Sequence, residues 1–185
     1  MRLPIYAALA LTLLTTGCGS SLGTASFLGA QDSSASALAT EPKTKAEFVK
    51  EVAARGVKLT EAQLELISKG RNIQPNGTFA ARPAANLTSE QNLKVHFEKH
   101  GHEFMPNIQS QEEYLQRAMD LAAGKRGTIL YFFDTTSFSK GYQSQVVRWN
   151  VQSKEFTALR PDGAVTTYYL NYKLAGKRFV AVPQF

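Results

Sequence analysis

Between residues 44 and 124 the apolar positions recur at helical spacing in four separate runs, and beyond residue 128 the period shortens to that of strands. Each run opens on the same start signal. A hydroxyl residue is followed three positions on by Glu or Gln, and the pair satisfies the first free backbone N–H groups of a helix. Thr44-Lys45-Ala46-Glu47 opens the first run, which sets Phe48, Val49, Val52 and Ala53 on one side and closes at Gly56. Thr60-Glu61-Ala62-Gln63 opens the second, with Leu64 and Ile67 apolar and Gly70 at its end. The third extends from about Ser89 to His100, behind Thr88-Ser89-Glu90-Gln91, and stops at Gly101. The fourth starts at Ser110-Gln111-Glu112-Glu113, carries Tyr114, Leu115, Ala118, Leu121 and Ala122, and stops at Gly124.

The last third of the chain reads as extended. Thr128 to Phe133 predicts a buried strand, and Gln145 to Asn150 with Lys154 to Leu159 predicts a hairpin. Pro161-Asp162-Gly163 is a turn leading into a strand from Ala164 to Leu170, and Arg178 to Val182 adds a last one. Helices first and antiparallel strands second predict an α+β fold, with the N-terminal helices packed on one face of a small antiparallel β-sheet. Pro75-Asn76-Gly77 and Arg82-Pro83 punctuate the loop after the second helix. The pattern divides the region into a helical hairpin and loop over residues 43–85 and a main domain over 86–185. It leaves open whether the hairpin packs on that domain or forms a separate adaptor.

The first 42 residues follow neither period. Arg2, the apolar run from Ile5 to Leu14 and the small Gly17 predict an export signal over residues 1–17, too short to span a bilayer as a mature helix. Leu14-Thr15-Thr16-Gly17-Cys18 resembles the bacterial lipobox, which implies diacylation of Cys18 as the mature N-terminus, with a further acyl chain of the palmitate kind. Several chains give stable anchoring. With Gly19 next, the resemblance implies sorting to the outer membrane of a diderm envelope. Residues 18–42 are small and polar and predict a flexible tether. As the lone cysteine, Cys18 leaves no disulfide for the fold.

Charge adds direction. Residues 1–124 carry 12 Lys and Arg against 12 Asp and Glu, whereas residues 125–185 carry 9 against 3, so the net +6 belongs to the predicted strands. A basic face concentrated in one region suggests an anionic partner. All three histidines, His96, His100 and His102, fall within seven residues. On a helix His96 and His100 share a face with Leu93 and Phe97. Imidazole titrates near neutrality, so two of them together can take and give a proton.

Metal-independent RNA cleavage needs a base, an acid and a cation for the charged phosphorane. His96 and His100 suit the first two roles, and Arg148, Lys177 and Arg178 suit the third. Thr166 and Thr167 add hydroxyls, while Tyr131, Trp149, Tyr168 and Tyr169 offer rings on which unpaired bases stack.

The run Leu93-x-x-His96-Phe97-x-Lys99-His100-Gly101-x-Glu103-Phe104 resembles the opening motif of toxin ribonucleases of the barnase–EndoU–colicin–RelE type, found in polymorphic and contact-dependent bacterial toxins. Glu113-Tyr114-Leu115-x-x-Ala118, Val147-Arg148-Trp149-Asn150, Glu155-Phe156 and Asp162-Gly163-Ala164-Val165-Thr166-Thr167-Tyr168-Tyr169 match the later elements in order. The chain departs from that pattern at Thr166, where a charged residue is usual, and at Trp149-Asn150, which replaces Tyr-Asp. Its segment from Asp134 to Ser144 is also longer. The resemblance covers about residues 90–172 and implies RNA cleavage to a 2′,3′-cyclic phosphate. It implies His100 as the principal proton-transfer group and His96 as the second, Arg148 as the phosphate cation and Thr167 as its positioning hydroxyl. Trp149, Tyr168, Lys177 and Arg178 would contact RNA, and a cognate, acidic immunity protein would be a partner.

His102 lies beyond the helix stop and gets no role. A His-x-x-x-His pair can clasp zinc, with Glu98, His102 or Glu103 as further ligands, but Phe97 stands where the usual metalloprotease motif has its Glu. No metal site and no cofactor are therefore expected. The alternative function is non-enzymatic: an envelope lipoprotein that binds a protein or anionic partner through its basic sheet.

Overall fold

The computed structural model describes residues 42–141, 146–174 and 178–185. Cys18, the signal, the tether and Lys177 lie outside these residues. The four helix starts all form, each with its capping box: α1 (Lys45–Ala53) behind Thr44, α2 (Glu61–Gly70) behind Thr60, α3 (Ser89–His100) behind Thr88 and α4 (Gln111–Ala122) behind Ser110. In each, the hydroxyl accepts from the N3 backbone N–H while the N3 side chain accepts from the cap's own N–H. No described helix is long and apolar enough to cross a membrane.

Five strands follow: β1 (Ile129–Asp134), β2 (Val146–Asn150), β3 (Glu155–Leu159), β4 (Val165–Leu170) and β5 (Phe179–Ala181). They form one antiparallel sheet in the order β4-β3-β2-β1-β5. This is the expected α+β fold with helices against a small antiparallel sheet. The segment after Asp134, read as a loop, begins with a short helix, α5 (Thr135–Ser139), whose N-terminal N–H groups donate to the Asp134 carboxylate.

The helices cover one face of the sheet. Tyr114, Ala118 and Leu121 of α4 pack with Leu159, Val165 and Tyr168. Phe48 and Val52 of α1, with Leu64 and Ile67 of α2, pack on Phe133, Val146 and Val180. The hairpin over residues 43–70 therefore shares its core with β1, β2 and β5, and the division drawn at residue 85 does not correspond to a structural boundary. Residues alternate across the strands. Phe132, Val147, Trp149, Phe156, Ala158 and Phe179 form a third cluster on the other face.

Two charged residues are buried on the helix side. Arg148 is 1% exposed, and its Nη2 donates to the carbonyls of Gly70, Arg71 and Ile73 at the end of α2. Glu155 is equally buried and accepts from Arg117 and Arg126. The Asp162-Gly163 turn is fastened to the Pro75-Asn76-Gly77 turn, with Asn76 N–H donating to Gly163 O and its side-chain amide to Asp162 O. Just beyond, the backbone of Thr78 to Ala80 runs parallel beside the start of β4, Val165 donating to Thr78 O and accepting from Ala80 N–H.

Candidate functional site

A cleft of about 890 Å³ opens where α3, the segment around Ala80–Ala84 and the ends of the strands meet. Antiparallel order brings the ends of β1 and β3 and the starts of β2, β4 and β5 to one end of the sheet. The floor is Val147, Phe156 and Ala158. One wall, at the β3–β4 side, carries His96, Arg160, Thr167 and Tyr169, and the opposite wall carries Asp134 and Arg178.

The β4 wall owes its two threonines to a register irregularity. Ala158 pairs with Thr167 and Leu159 with Val165, so Thr166 is the extra residue. Both Thr166 and Thr167 line the cleft as a result, and Thr166 Oγ1 donates to Ala158 O at 3.1 Å.

Helix α3 presents Asn92, His96 and His100 along one line, four residues apart. Leu93 and Phe97 point instead into the core shared with Tyr114. The His96 ring lies 4.8 Å from that of Phe79 and 6.1 Å from that of His100. Burial, and then the nearby His100, Lys99 and Arg82, bring the His96 pKa down to about 4, so the ring is neutral at pH 7. Its Nδ1 is buried with no hydrogen-bond partner.

His100 is held on two sides. Its Nδ1 is 2.7 Å from Glu103 Oε1, and its ring stacks on Tyr169 with centroids 5.3 Å apart. Glu103 is itself fixed, because Oε2 accepts the Leu170 backbone N–H at 2.7 Å. Such a carboxylate–imidazole pair selects the tautomer with the proton on Nδ1 and leaves Nε2 as the exchanging atom. The turn Gly101–Phe104 after α3 makes this reach possible by folding Glu103 back under His100. Gly101 is required there, since a Cβ would meet the Phe97 ring at 2.6 Å.

On the opposite wall Asp134 is 2% exposed and receives two hydrogen bonds from Arg178, at 2.9 and 2.7 Å. Burial works upward on its carboxyl, but the Arg178 and Ser137 hydrogen bonds outweigh it and hold the group below the usual carboxylate range. Arg178 in turn keeps its charge and stands at the cleft with its side chain 41% exposed.

Of the residues singled out in the sequence, His96, Thr167 and Arg178 line this cleft, and His100 packs on its Tyr169 wall. Arg148 does not join them. It stands on the opposite face of the sheet because it follows Val147, a cleft residue, by one position in a strand, and its place as a cleft cation is taken by Arg178. Tyr168 is likewise on the helix face, fully buried between Phe104 and Tyr114, so it offers no stacking surface; Tyr169, its neighbour, faces the cleft. Trp149 is on the cleft face of the sheet but only 4% exposed, its Nε1 donating to Asn171 O, and it packs rather than stacks on a ligand. His102 is exposed on the turn after α3. Among the described residues no group of three or more His, Cys, Asp or Glu side chains is arranged to hold a metal ion.

Sequence reading missed Asn92 and Arg160, and it weighed Glu103 and Asp134 only as metal ligands, not as the partners of His100 and Arg178; Tyr169 was named there as a stacking ring. For Asn92 the signal was available, as it precedes His96 by one four-residue step. No family model, curated protein or solved structure matches this chain.

Proposed function

We propose that this chain is a toxin-like endoribonuclease, exported and attached to the envelope through Cys18, that cleaves RNA by metal-independent transesterification. The observation that carries the reading is the Glu103–His100 pair stacked on Tyr169, one helical turn from the neutral His96 and beside a cleft that holds Thr167 and Arg178.

The roles follow from the charge states. A base must be unprotonated, which suits His96, and in the tautomer with the proton on Nε2 its partnerless Nδ1 is the acceptor. The phosphate of a bound RNA raises its basicity by bringing negative charge close to the ring. His96 takes the ribose 2′-proton, the 2′-oxygen bonds to phosphorus, and the bond from phosphorus to the 5′-oxygen breaks. His100 gives that oxygen a proton from Nε2, with Glu103 orienting the ring and compensating its charge. Arg178 and Thr167 contact the phosphate oxygens, Arg178 oriented by Asp134. The products are a 2′,3′-cyclic phosphate and a 5′-hydroxyl.

Because the hairpin of residues 43–70 shares the core, the test uses the full chain. Purified protein is incubated with total RNA in EDTA beside His100→Ala and Glu103→Gln versions. Degradation by the wild type, with cyclic-phosphate ends, loss in His100→Ala and slowing in Glu103→Gln is expected. Intact RNA from a demonstrably folded wild type would sink the proposal and leave the cleft as the binding site of an envelope lipoprotein. An acidic immunity protein is the partner this reading implies.

A further inference from the structure

Three polar atoms in the cleft wall are buried without a partner: His96 Nδ1, Asn92 Oδ1 and Arg160 Nε. The proton-transfer scheme uses the first and has no use for the other two.

The Asn92 amide is only 4% exposed, and its orientation is fixed. Nδ2 donates to Ala80 O at 2.8 Å, and a carbonyl can only accept, so the nitrogen must lie there and the oxygen is the free atom. Ala80 is held in turn by Val165, through the parallel pairing beside β4. Arg160 follows the end of β3, and its Nη2 is engaged by Asp162, which leaves the Nε–H. The same wall thus holds one unsatisfied acceptor and one unsatisfied donor, next to an uncharged imidazole.

That combination does not suit phosphate. A buried oxygen acceptor repels an anion, the neutral His96 does not offset it, and the Arg160 charge is already paired with Asp162. It suits a planar, uncharged group that presents an N–H and a lone pair on one edge, which is what the edge of a nucleobase presents. Along α3, Asn92 lies about 6 Å before His96 and about 12 Å before His100, on the rise of an α-helix. This is the order of distance from a base to the phosphate of its own nucleotide.

Building on the ribonuclease reading, we propose that Asn92 and Arg160 form a base-recognition subsite, which selects the nucleotide whose phosphate is cut beside His100. No protein group satisfies either atom. A base with the matching edge gains two hydrogen bonds there, while a mismatched one leaves both atoms buried without a protein or ligand partner.

The experiment measures calorimetric binding of the four ribonucleoside 3′-monophosphates and of inorganic phosphate to the full chain. Asn92→Leu, Arg160→Met and His100→Ala versions are compared. In the wild type and in His100→Ala the best nucleotide should bind at least about 10-fold more tightly than the worst. In Arg160→Met and Asn92→Leu the ratio should fall to within about 3-fold, with inorganic phosphate binding unchanged. Arg160 is partly exposed, so its variant remains informative even where Asn92→Leu fails to fold. Base-selective binding without RNA cleavage upholds the subsite and overturns only the catalytic reading. Cleavage with flat affinities for the four nucleotides overturns the subsite and leaves the catalytic reading standing. Absence of nucleotide binding overturns the subsite.

Discussion

Acid should unfold this protein partly through His96. Its pKa is about 4 in the folded chain and near 6.5 when the ring is free in water. Above pH 6.5 both states hold the ring neutral and it contributes nothing. As pH falls below 6.5 the unfolded chain takes up a proton that the folded chain refuses, so stability is lost down to about pH 4, where both states are protonated. At ~1.36 kcal/mol per pH unit the bound on this loss is roughly 3 kcal/mol. The ring keeps part of its surface at the cleft wall, where water screens the added charge, and about half that amount is expected. Urea unfolding of the wild type and of His96→Gln between pH 7.5 and 4.5 isolates the effect, because other groups titrate alike in both. The wild type should lose about 1–2 kcal/mol more than the variant over that range. Parallel curves would show that His96 titrates normally, and the neutral-base role assigned to it would go with them.

Arg148→Met should destabilise by about 2–4 kcal/mol, since it leaves the carbonyls of Gly70, Arg71 and Ile73 without their donor; a fall in Tm of roughly 5–15 °C would show this. A Tm unchanged with RNA cleavage abolished would instead return Arg148 to the catalytic machinery. Thr88→Ala removes the cap of the helix that carries Asn92, His96 and His100, and denaturant titration should register about 1 kcal/mol. Gly163→Ala should cost about 2 kcal/mol or more in the same assay, because φ there is +89° and a Cβ would come within 2.4 Å of Gln74 O. Cys18→Ala should move the protein from the membrane fraction to the soluble one and abolish labelling by radioactive palmitate, if the lipobox resemblance holds.

The helices were legible because each is opened by its own residues: Thr44, Thr60, Thr88 and Ser110 all cap where the pattern put them. Strand positions were legible too, but not their sides. In Val146-Val147-Arg148-Trp149-Asn150 every residue is buried, so no polar edge reveals which alternate set faces the cleft, and Arg148 and Tyr168 were assigned to the wrong face. The shared face of His96 and His100 follows from helical spacing alone. Their environment does not: Glu103 reaches His100 only through a tight turn, and Asp134 meets Arg178 across 44 residues of chain. The extra residue at Thr166 depends on how β4 lies against β3, a pairing that composition does not encode.

The two ends of the described chain close over one another. Phe48 of α1 and Phe185 have ring centroids 5.8 Å apart, Arg71 after α2 donates to Val182 O, and β5 completes the sheet under the hairpin. A chain still being synthesised has made α1 and α2 long before it has made the residues they rest on. Until β5 arrives the hairpin has only part of its seat, on β1 and β2, which delays completion of the core. On the export proposed above, an incompletely folded polypeptide is what a narrow channel requires, and the order of the segments favours that state.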